Sequence, residues 1–151
     1  TVFFEGTNLS EGRGTDAPFT QVGAPWITDV QAIADQLNAR KLAGVHFDAA
    51  WRAVEPTYKH GGVTIPMLRV RVTDRNLVQP VEVGAWMLRA VYSRHTSQWE
   101  WRTRSIDLLS GGDRLRKAVE TSDDAVAALL VQFRAEAAQF AATVAQFRIY
   151  R

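Results

Sequence analysis

The sequence predicts a single α+β domain over residues 1–151. Three observations carry that prediction. Hydrophobic residues make up 46% of the chain and charged residues 23%, ordinary for a globular protein and sufficient for a real core. Alternating apolar and polar positions at 45–53 and 63–72 lie on either side of a His60-Gly61-Gly62 turn, as in a β-hairpin. Stretches at 28–41, 80–94 and 122–147 place apolar residues three and four apart, the helical period. Hairpin-like strands beside separate helices point to α+β. The expected architecture is a small mixed or antiparallel, partly barrel-like sheet packed with about four helices, the last one long.

Taken in order, Val2-Phe3-Phe4 reads as a short strand leading into a glycine-rich loop, and Phe19–Val22 as another. Thr28-Asp29-Val30-Gln31 has the spacing of a capping box. Val30, Ile33, Ala34 and Leu37 continue it as a helix. In the hairpin, Val63 and Ile65 face one way, while Leu68, Val70 and Val72 take the opposite phase. The slip falls at Pro66-Met67, so a bulge or break is expected there. Pro80 suits the first turn of a helix over 80–94. Trp99 and Trp101 alternate with polar residues as in a short strand. A turn or short helix at 105–109 and another from Asp113 to about Glu120 follow. Ser122 is a good N-cap for the last helix, with Asp123 and Asp124 near its positive end. Its stripe from Val126 through Phe140 and Val144 to Phe147 is expected to be core.

The loop from Glu5 to Trp26 has neither period and concentrates the chemistry. Gly12 and Gly14 flank Arg13, so backbone N–H groups there can form an anion-binding concavity beside a guanidinium. Glu5, Asn8, Ser10 and Thr15 add a carboxylate and three hydrogen-bonding side chains. Glu5 follows an apolar run and precedes Gly6, where it either faces a cleft or pairs with Arg13 or loop N–H groups. Glu11 and Asp16 read as solvated loop acids, and Lys59-His60-Gly61-Gly62 as a solvated turn. Trp51 and Trp86 read as core, and burial also suits Trp99 and Trp101 better than sugar stacking.

Other chemistries find little support. The net charge is +2 with no run of like charges, which argues against nucleic acid. His46, His60 and His95 show no metal-ligand spacing, and no cofactor motif is present. There is no cysteine. No apolar stretch reaches the length of a membrane span, and no signal peptide is visible.

The run from Glu5 to Thr15, then Pro18-Phe19 and Gly23–Ile27, resembles the opening of the C-terminal half of NamZ-type exo-β-N-acetylmuramidases, glycoside hydrolase family 171. Gly62, Leu68–Arg75, Pro80-Val81, Ile106–Gly112, Leu115-Arg116 and the terminal Phe147–Tyr150 are similar to later parts of that half. The resemblance implies an enzyme that removes terminal N-acetylmuramic acid from peptidoglycan fragments. It implies a Rossmann-like N-terminal domain, carrying the favoured catalytic glutamate, as partner across a substrate cleft, with a muropeptide or peptidoglycan-derived saccharide as ligand. Export to the periplasm or exterior is then expected. On this reading Glu5 is the cleft carboxylate. Asn8, Ser10, Gly12, Arg13, Gly14 and Thr15 bind substrate, with Arg13 set against the lactyl carboxylate of muramic acid. The isolated chain is expected to be inactive. Two other readings are a non-catalytic glycan-binding or interdomain packing module, and a self-contained hydrolase using Glu5, for which the sequence offers no second acid.

Overall fold

The computed structural model describes residues 1–149; Tyr150, the end of the terminal motif, and Arg151 lie outside the described residues. Three strands form one antiparallel sheet: β1 (Gln21–Gly23), β2 (Val45–Ala53) and β3 (Thr64–Val72), in the order β1-β3-β2. Five helices accompany it: α1 (Val30–Ala39), α2 (Pro80–Arg94), α3 (Thr103–Leu109), α4 (Arg114–Thr121) and α5 (Asp123–Val144). The fold is α+β with a long last helix, as expected. The sheet is open and purely antiparallel, neither mixed nor barrel-like, because β1 and β2 each pair antiparallel with β3 and not with each other.

The hairpin register runs without interruption from Val45 opposite Val72 to Ala53 opposite Thr64. No bulge forms at Pro66. The change of hydrophobic phase has another cause: β3 is buried on both faces. Leu68 joins the main core of helices and sheet, while Ile65 and Met67 pack with Val54 in a small second cluster. Neighbouring strand residues point to opposite faces, so two cores in one strand read as a slip. The β2 edge is covered where Asn38 of α1 both donates to Phe47 O and accepts from Phe47 N, each at 2.9 Å.

Other expectations change. Val2–Gly6 is a 3₁₀ turn, not a strand. Residues 99–101 make only an isolated bridge, Thr7 to Trp101, and Trp99 and Trp101 instead cluster with Tyr92 at ring separations of 4.9 to 6.2 Å. The Thr28–Gln31 capping box does not form. Asp29 precedes α1, and its carboxylate is held by Arg94 and His95 at 2.8 and 2.7 Å, while Gln31 bonds Asp35. Ser122 does cap α5, accepting from Ala125 N at 3.1 Å. The α5 stripe is core only in its first half: Val126, Leu129 and Leu130 are buried, but Phe140 is 67% exposed. Trp86 is core, whereas Trp51 is 60% exposed although it shares a β2 face with buried Phe47. The helical layer covers only the first part of that strand.

Candidate functional site

The glycine-rich loop is built by its own side chains. Ser10 pairs with Gly23 of β1 through both backbone groups, at 2.8 and 2.9 Å, which ties the loop to the sheet. Gly12 N donates to Ser10 Oγ at 3.2 Å. Thr15 Oγ1 donates to Gly12 O at 2.6 Å and accepts from Gln21 Nε2 at 2.8 Å. Gly12 and Gly14 have φ of 81° and 75°, the left-handed region that favours glycine, and a Cβ on Gly14 would lie 2.5 Å from Tyr58. Asn8 is spanned by the chain around it: its side chain donates to Gln98 O and accepts from Glu100 N. Segment 100–102 thus runs alongside 6–8, and Arg102 N donates to Gly6 O at 2.8 Å. Gly6 is required here, because a Cβ would sit 2.6 Å from Ile106 Cβ and block the approach of α3.

These contacts enclose one side of a cavity of about 410 Å³ lined by Glu5, Glu11, Arg13, Lys59, Arg102 and a face of α3. That face carries Ser105, Leu108 and Leu109, three and four residues apart. Arg13 donates to Glu5 Oε1 at 2.8 Å and lies 3.5 Å from Glu11 Oε1. Its guanidinium also sits over the Phe19 ring, 4.9 Å from the centroid. Phe19 has φ of 60°, uncommon for an aromatic residue, and its N–H closes the loop onto Glu11 O at 2.8 Å. Lys59 donates to Glu11 Oε2 at 3.0 Å and to Leu9 O at 2.9 Å.

Glu11 and the Lys59-His60 turn therefore overturn their sequence readings. Glu11 is buried rather than solvated, because two cations compensate its charge. Lys59 is a strut behind the loop, and His60 Nε2 contacts Asn8 O at 2.8 Å. Asp16 does stay exposed, beside Arg52. Of the sequence candidates, Glu5 and Arg13 line the cavity together. Ser10 and Thr15 spend their side chains on the loop itself, Asn8 ties it to segment 98–100, and Gly12 and Gly14 shape its turns. The sequence reading missed Glu11, Lys59, Arg102, Ser105, Leu108 and Leu109. Lys59 lies 48 residues from Glu11, a separation no local pattern reveals. Among the described residues no group of three or more His, Asp or Glu is placed to hold a metal ion.

Residues 1–150 match the family described as exo-beta-N-acetylmuramidase NamZ, C-terminal. The chain belongs to this family. It is 33% identical over 152 residues to the peptidoglycan beta-N-acetylmuramidase NamZ of Bacillus subtilis, covering 99% of this chain and 36% of that protein. The fold matches a DUF1343 family protein from Bacteroides fragilis with a TM-score of 0.78 at 20% identity, over 95% of this chain and 38% of the other. This chain thus spans little more than a third of the length of each of these longer proteins.

Proposed function

We propose that this chain is the C-terminal domain of a peptidoglycan exo-β-N-acetylmuramidase that releases terminal N-acetylmuramic acid, and that it supplies one wall of the substrate cleft. The observation that carries this is the cavity at the family's signature loop, where Glu5 and Glu11 are framed by Arg13, Lys59 and Arg102. A glycosidase needs a proton donor and a second carboxylate on either side of the bond. Glu5 is part-exposed at the cavity and positioned by Arg13, so it can meet a saccharide, whereas Glu11 is buried between Arg13 and Lys59 and supports the wall. The proton donor then comes from across the cleft, from a Rossmann-like N-terminal domain. Glu5 is the cleft carboxylate, and Arg13 orients it. Asn8, Ser10, Gly12, Gly14 and Thr15 hold the loop in the shape that presents both to the saccharide. Export follows from a cell-wall substrate, and no described helix is long and apolar enough to cross a membrane.

The test is hydrolysis of a chromogenic β-N-acetylmuramic acid glycoside by the chain alone and by the protein with its N-terminal part. Activity only in the longer protein is expected. Activity in neither overturns the reading. In the longer protein, Glu5→Gln is expected to lower kcat by roughly 100-fold or more, the scale of losing a positioned catalytic carboxylate. The inward hydrogen bonds of Asn8, Ser10 and Thr15 favour one alternative, a non-catalytic module. Saccharide binding by the chain alone, with no gain in hydrolysis from the N-terminal part, would support that alternative.

A further inference from the structure

The cavity is not electrically balanced. Glu5 and Glu11 are matched by Arg13 and Lys59, which they contact at 2.8 and 3.0 Å. Arg102 has no carboxylate partner among the described residues, yet it lines the same cavity. Its backbone is fixed, since Arg102 N donates to Gly6 O one residue after Glu5. Beside it stands an apolar lip: Leu108 is 73% exposed and Leu109 38%. A free guanidinium next to exposed leucines suits a ligand group that is anionic at one end and aliphatic at the other. An anion directed to Arg13 would have to displace Glu5, whereas one directed to Arg102 meets no carboxylate already paired to it among the described residues.

We propose that Arg102, with Leu108 and Leu109, reads the lactyl ether of the terminal sugar. Its guanidinium pairs the carboxylate, and the leucines pack against the methyl group. The inference rests on the muramidase reading and moves specificity from the glycine-rich loop to α3 and its N-cap. N-acetylglucosamine lacks this ether, so the contact separates the two sugars.

The experiment uses the protein with its N-terminal part and two chromogenic substrates, the β-N-acetylmuramic acid glycoside and its lactyl methyl ester. Arg102→Gln is expected to raise KM for the free acid by roughly 10- to 100-fold, the scale of a charge-assisted hydrogen bond, and to leave the ester nearly unchanged. Arg102→Lys keeps the charge without the fork and is expected to retain part of the preference for the acid. Leu108→Glu, at an exposed position, is expected to repel the acid and spare the ester. Equal losses on acid and ester, or an undiminished preference in Arg102→Gln and Leu108→Glu, overturn the proposal while leaving the muramidase reading intact. A wild-type protein inert on both substrates overturns both.

Discussion

Glu11 shows most directly how single residues hold this site. Its carboxylate is buried against Lys59 and within 3.5 Å of Arg13. Its partners are part-exposed and keep other bonds, Arg13 to Glu5 and Lys59 to Thr7 O and Leu9 O, so losing the carboxylate costs about 1–2 kcal/mol, the scale of a charge-assisted hydrogen bond. Glu11→Gln is therefore expected to lower unfolding free energy by about 1–2 kcal/mol in a denaturant titration of the chain. A loss under about 0.5 kcal/mol, the range of surface substitutions, would show that water already screens the pair. Gly6 acts by absence. Gly6→Ala would push a Cβ against both side chain and backbone of Ile106, which the core cannot absorb by rotating a side chain. A clear fall in Tm is expected, together with loss of the cavity, because α3 can no longer reach the loop.

At the scale of elements, α5 divides in two. Its first turns pack Val126, Leu129 and Leu130 against the core, and its far half stands clear with Phe140 exposed. Leu129→Ala is expected to destabilise by about 2–5 kcal/mol, while Phe140→Ala stays within about 0.5 kcal/mol. Comparable losses at both positions in the chain alone would contradict the exposed arrangement of Phe140. The helix periods of α2 and α5 were legible because propensity, caps and apolar spacing agree there: Pro80 opens one and Ser122 caps the other. The capping box at Thr28 misled because Asp29 had a stronger use, clamping the end of α2. The period of β3 misled because both its faces are buried, and alternation assumes only one.

At the scale of the whole molecule, two aspartates join elements distant in sequence. Asp29 ties the start of α1 to Arg94 and His95, and Asp123 ties the start of α5 to Arg40 and Arg89. Burial pushes the Asp29 carboxyl up, but the hydrogen bonds and charges of His95 and Arg94 outweigh it and hold it below its ordinary value. The Arg89 hydrogen bond likewise holds Asp123 below its ordinary value, against burial and with help from Arg40. A carboxyl depressed in the folded state binds protons more readily when unfolded. Its contribution is thus complete above the unfolded value, about pH 4, and is lost as pH falls through the folded value. Stability is expected to decline below about pH 4, with a shallower decline in Asp123→Asn. An unchanged acid profile in that variant would show that other groups set it.

The sequence by itself determined the α+β class, the long last helix, the hairpin and the presence of the glycine-rich loop. These are local matters of period, capping and backbone freedom. It brought Glu5 and Arg13 forward because a charged pair among glycines is visible within a dozen residues. Only the tertiary structure decided that Glu11 is buried, that Lys59 supports the loop, and that Arg102 and Leu108 complete the cavity. Those placements depend on α3 docking against Gly6 and on the turn at 59–62 reaching back to residues 7–11. Charge compensation across such distances is fixed by the packing of elements, and no spacing along the chain records it.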